Sequence, residues 1–163
     1  MPSRRLVLFI NNKLPLRASK AHPHYGSKLC PSCQREHETA PHFLTCMHPA
    51  RETLFRTLKD SLTKLTQKLR LQPYLLTTWW LGLASHRNGI GYPQILEDLP
   101  PQLHASIATQ TKLGWEQLYQ GRITVNWAQA IDALHPNLAP SGTQVMISLL
   151  RSVWHYILDV WKL

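Results

Sequence analysis

Every cysteine in the chain lies between residues 30 and 46: Cys30, Cys33 and Cys46, with His42 ahead of the last. The spacing reads Cys-x2-Cys-x8-His-x3-Cys. A tight turn between Cys30 and Cys33 brings two sulfurs to one ion. His42 and Cys46 are four residues apart and share a face if the segment is helical. Three thiolates and one imidazole fill a tetrahedron, the donor set of a closed structural Zn2+ site. His37 and His48 are alternative fourth ligands, although neither has the four-residue relation to Cys46. A Cys-x-x-Cys pair can also do redox chemistry, but that use goes with a βαβ pattern, which the flanking sequence lacks. Three is an odd number for a disulfide framework. A Cys46–His nucleophile pair can be written as well, yet a cysteine that binds zinc is unavailable for attack. A catalytic zinc keeps an open position and three protein ligands, so four good ligands favour a structural role.

The surrounding elements must hold these four side chains. Pro31 stiffens the turn, and Thr39 is a good N-cap for a short helix from Ala40 that carries both His42 and Cys46. Ahead of this motif, Leu6–Ile10 is a β-like patch, followed by a loop rich in basic residues, His and Pro. Behind it, Pro49 opens a helix with Leu54, Leu58, Leu62, Leu65 and Leu69 on one stripe. Such a stripe faces either a core or a coiled-coil partner. Pro73 starts a second apolar helix containing Trp79 and Trp80, for which core packing outweighs base stacking. Pro100-Pro101 precedes a helix read as running to Gln120, with Gly114 inside it marking a close approach of another helix or of Trp115. Gly121 is its stop. Trp127, Ala128, Ile131 and Leu134 form a shorter helix. Ser141-x-x-Gln144 is a capping box for a last helix striped by Met146, Leu150, Val153, Ile157 and Trp161. The expected fold is mostly α: a small Cys3His zinc finger (knuckle plus short helix), then about five helices packed as a bundle. Residues 1–48 form a basic segment with the finger, and 49–163 a helical domain that looks cut at its apolar C-terminus.

Charge is uneven. Residues 1–70 hold thirteen Lys and Arg against four acids, whereas residues 71–163 hold five of each, so the whole +9 sits around the metal motif. Zinc with three thiolates is itself about −1, which leaves that half at roughly +8. A basic half beside a neutral one points to a polyanionic partner, most simply RNA or DNA; the alternative is a solvated basic surface. Lys28, Arg35 and Arg51 flank the finger and are the candidate phosphate contacts. No Gly-rich phosphate loop, GxSxG or HExxH occurs, and the acids are not paired as two-metal or glycosidic chemistry requires. No enzyme activity and no small-molecule substrate are expected. The longest apolar run is far short of the roughly 20 residues that span a bilayer, so no membrane partner is expected and the location reads as intracellular, nuclear or cytoplasmic.

The string Cys30-Pro31-Ser32-Cys33, then Glu38-Thr39-Ala40-Pro41-His42-Phe43-Leu44-Thr45-Cys46, resembles the zinc-binding segment downstream of the polymerase and ribonuclease H regions in retrotransposon reverse-transcriptase reading frames. Gln110 to Arg122, with Trp127 and Gln129, is similar to a Gly-Trp and Gly-Arg block in such frames from diatoms and other eukaryotic microbes. Ser141-Gly142 and Leu149 to Trp161 are similar to the helix that follows. The resemblance covers residues 13 to 163 and implies a detached, non-catalytic tail with ligands Cys30, Cys33, His42 and Cys46. It implies nucleic-acid contact and the polymerase portion of the same element as a partner. Two other readings stand beside it: an interaction or dimerisation module whose finger is purely structural, and a degenerate element fragment without present function.

Overall fold

The computed structural model describes residues 11, 16–18, 27–93 and 98–163. The expected β-like patch at Leu6–Ile10 and most of the basic loop after it lie outside the described residues. Among the described residues seven helices follow in order: α1 (Ala40–Thr45), α2 (Pro49–Lys68), α3 (Pro73–Arg87), α4 (Pro101–Leu113), α5 (Glu116–Tyr119), α6 (Asn126–Leu134) and α7 (Gly142–Lys162). The expected architecture holds. A knuckle and the short α1 form the finger, and five longer helices plus the single turn of α5 form the bundle behind it.

The punctuation residues act where elementary chemistry places them. Thr39 Oγ1 accepts the backbone N–H of His42 at 3.2 Å. Proline occupies the first turn of α1, α2, α3 and α4, where its missing N–H has no intrahelical partner to lose. Gln144 Oε1 accepts the backbone N–H of Ser141 at 3.0 Å, one half of the expected capping box.

One helix is shorter than the sequence pattern indicates. Instead of running to Gln120, α4 stops at Leu113, and Gly114 takes φ 102°, a backbone that residues with a Cβ seldom adopt. The reversal swings Trp115 into the core, where it stacks on Tyr92 with ring centroids 5.0 Å apart and lies edge-on to Trp127 at 6.2 Å. The fully buried Gln110 holds the break closed: its Nε2 donates to the Gly114 carbonyl and its Oε1 accepts from the Thr124 N–H, both at 3.2 Å. The close approach expected at Gly114 occurs instead at Gly82 of α3, on which the Trp115 ring rests.

The two long helices, α2 and α7, pack against each other, and α6 and α5 also lie on α7. One continuous core runs from Phe43 and Leu44 in the finger through Phe55, Leu58, Leu62, Trp79 and Trp127 to Val160. The boundary drawn at residue 48 therefore separates two kinds of local structure that share one interior. Trp79 is buried and meets Trp127 edge-on at 5.6 Å, while Trp80 packs on Phe55 at 4.4 Å, as core packing required. Both apolar stripes face inward. Leu58, Leu62, Met146, Leu150, Val153 and Ile157 are buried, with Leu54, Leu65, Leu69 and Trp161 packed against the core. Among the described residues, no helix is long and apolar enough to cross a membrane.

A Cβ added at Gly82 would collide with the Trp115 ring. Gly82→Ala is therefore expected to cost about 2 kcal/mol through overpacking, lowering the thermal midpoint by about 5 °C. Gly91→Ala, with open space around it, should stay within about 0.5 kcal/mol of the parent. Thermal unfolding followed by circular dichroism checks the pair, and equal midpoints would contradict the packing described.

Candidate metal centre

The knuckle is built by backbone hydrogen bonds. Leu29 and His37 form an isolated antiparallel bridge, and the Glu38 N–H donates to the Lys28 carbonyl at 2.9 Å. Inside that bracket the Cys30 N–H donates to the Glu36 carbonyl at 2.7 Å and the Gln34 N–H to the Cys30 carbonyl at 2.9 Å. Gln34 closes the turn with φ 52°. The loop thus points Cys30 and Cys33 toward α1. There the helical spacing does the rest: the Cys46 N–H bonds the His42 carbonyl at 2.9 Å, so both side chains project to one side.

The four ligand atoms of Cys30, Cys33, His42 and Cys46 all lie within 4.8 Å of one another. Cys30 Sγ is 3.9 Å from Cys46 Sγ, and Cys33 Sγ is 3.3 Å from His42 Nε2. A tetrahedral ion with sulfur bonds of about 2.3 Å has sulfur–sulfur edges of about 3.8 Å, close to the Cys30–Cys46 separation, so this cluster could hold a metal ion. Of the competing histidines, His37 is exposed in the bridge. His48 caps α2, its Nδ1 accepting the Ala50 N–H at 3.3 Å. Neither joins the cluster.

The three thiols are not equivalent. Cys30 and Cys46 are buried and Cys33 is half-buried. Burial pushes the Cys33 thiol up, but the backbone N–H groups of Arg35 and Glu36, with His42 and Cys30, outweigh it and bring the pKa down to about 6. Burial dominates at Cys46 and raises it to about 11, against the His48 backbone and the Arg51 charge. At neutral pH Cys33 is ready to meet a cation. Cys46 must surrender a proton as the cation arrives, so loading is favoured by rising pH.

The next layer contains residues that the sequence pattern did not single out for this task. The Glu36 carboxylate lies 3.1 Å from His42 Nδ1, which leaves Nε2 facing the sulfurs. Arg51 is 1% exposed, so it is withdrawn from the set of phosphate contacts. Its Nε donates to Ser32 Oγ and its Nη1 to the Phe43 carbonyl, both at 2.9 Å, with Glu38 at 3.9 Å. Arg87 at the end of α3, also buried, donates Nη2 to the Cys46 carbonyl at 3.2 Å and pairs with Glu52 at 3.1 Å. A signal was present: Arg51 sits on the same helical stripe as Phe55, Leu58 and Leu62, where an exposed cation has no place. Lys28 and Arg35 remain exposed beside the knuckle.

No protein family matches the chain, and neither a curated protein nor a solved structure does.

If Glu36 orients His42, Glu36→Gln weakens metal binding. Because the carboxylate is 72% exposed, the loss belongs at the lower end of such effects, about tenfold, with helical content unchanged. Competition with a chromophoric chelator measures it, and an affinity equal to the parent's would remove Glu36 from the site.

Proposed function

We propose that this chain is a non-catalytic module in which zinc fixes a Cys3His finger onto a helical bundle, that its basic surface binds or positions nucleic acid, and that it derives from the tail of a retrotransposon reverse-transcriptase protein. The observation that carries the proposal is the closure of the ligand set: four donors, three of them buried, converge from the knuckle and α1. Three thiolates with one imidazole in a tetrahedron select zinc among common ions, and four protein ligands make the site structural. The origin is supported by the finger string and by the Gln110-Gly114-Trp115 block, whose residues interlock in the core. Nucleic-acid binding is supported by the +9 charge concentrated in residues 1–70. The dimerisation alternative loses its main support, because the stripes offered for docking are covered by the chain's own core.

Purified protein should carry about one zinc per chain, and the metal should be lost in Cys46→Ala. The zinc-loaded protein should retard a structured RNA in a gel at ~50 mM salt, the shift fading as salt rises. No shift at low salt with zinc bound overturns the nucleic-acid reading, and a dimer by light scattering that shifts nothing favours the interaction module.

A further inference from the structure

We propose that the outer face of α2, rather than the edge of the finger, is the surface that meets the phosphodiester backbone; this rests on the nucleic-acid reading above. The helix has 20 residues and turns Arg51, Phe55, Leu58, Leu62 and Thr66 inward. On the opposite side Arg56, Lys64 and Lys68 are exposed, Lys59 is exposed on the flank next to Trp80, and Arg70 continues the band just past the helix end. At 1.5 Å per residue the cations from Arg56 to Lys68 span about 18 Å.

Two features separate this band from an ordinary solvated helix face. The first is the balance of charge. Solvated basic faces alternate acids and bases four residues apart, and Glu52, Arg56, Asp60 and Lys64 follow that rule. Lys59, Lys68 and Arg70 stand outside it as a basic excess, and Glu52, one-third exposed, is shared between Arg56 at 3.5 Å and Arg87 at 3.1 Å. The second is like-charge spacing. Lys64 and Lys68 are four residues apart and Arg56 and Lys59 three, arrangements that destabilise a helix and that a polyanion relieves. The intervening exposed side chains, Thr53, Thr57 and Ser61, are small and turn their hydroxyls back onto helix carbonyls at 2.9–3.1 Å, so a strand can lie close. Lys59 Nζ is steadied 5.4 Å above the Trp80 ring. Cations without buried base-reading groups bind phosphates and not sequence. By comparison, among the described residues the finger edge offers only Lys28 and Arg35 as exposed cations, with the exposed Glu36 carboxylate next to Arg35 in sequence.

The test is fluorescence anisotropy of a labelled RNA hairpin with the full zinc-loaded chain over a salt series. The triple variant Arg56→Gln/Lys64→Gln/Lys68→Gln, whose side chains are all exposed, is compared with Lys28→Gln/Arg35→Gln, and helical signal and zinc content confirm that both are folded. The triple variant should bind at least about tenfold more weakly, and the slope of log affinity against log salt should shrink by about 2–3. The double variant should stay close to the parent. A triple variant that keeps parental affinity and slope, or a double variant that abolishes binding, overturns the placement on α2 while leaving the nucleic-acid reading standing. Absence of binding by the parent overturns both.

Discussion

The structure depends on two buried guanidinium groups. Arg51 and Arg87 come from different helices of the bundle, yet each ends on the backbone of the finger: Arg51 on the Phe43 carbonyl and Arg87 on the Cys46 carbonyl. Each also has an aromatic ring beneath it, Phe43 at 5.2 Å and Phe55 at 4.4 Å, and a carboxylate beside it, Glu38 or Glu52. A buried arginine whose partners are removed costs several kcal/mol. Displacing the finger would take Glu38 and the Phe43 carbonyl from Arg51 and the Cys46 carbonyl from Arg87, whose Glu52 partner stays on α2, and α1 cannot be remodelled without disturbing the ligands it carries.

Charge explains why guanidinium suits this place. A divalent ion held by three thiolates and an imidazole carries about −1 in total. Arg51 already lowers the proton affinity of Cys46, so it favours the thiolate that a metal needs. Two arginines, two carboxylates and a metal-loaded site of net −1 would come close to balance inside the protein, while Lys59, Lys64 and Lys68 stay exposed on α2. Interior and exterior charges thus have separate tasks: those inside join the finger to the bundle, and those outside face solvent and any polyanion in it.

The parts of this arrangement that were legible in the sequence are those governed by local rules. The Cys30–Cys46 spacing, the Thr39 cap, the helix-opening prolines and the Ser141 box each act within a few residues, and each is found where it was read. The misreadings are non-local. Arg51 looks like a surface cation because its burial is decided by what α1 and the knuckle place above it. Gly114 looks like a helix interior because the apolar period continues through it to Leu118; only the buried Gln110, and the space that Gly82 leaves for Trp115, make a break there favourable. On α2 the stripe centres on Phe55 instead of Leu54, since adjacent apolar residues leave the rotation of a helix open until its neighbours are known.

The central claim is that the metal centre and the helical bundle form one cooperative structure joined through Arg51 and Arg87. It is tested most directly by thermal unfolding of the whole chain, followed by far-ultraviolet helical signal, with bound metal and after removal of the metal by a chelator. The account predicts a single transition in the loaded protein and a large fall in its midpoint on chelation, with helices α2, α3 and α7 melting together with the finger. A helical transition at the same temperature with and without metal would contradict it, because the bundle would then stand independently of the site.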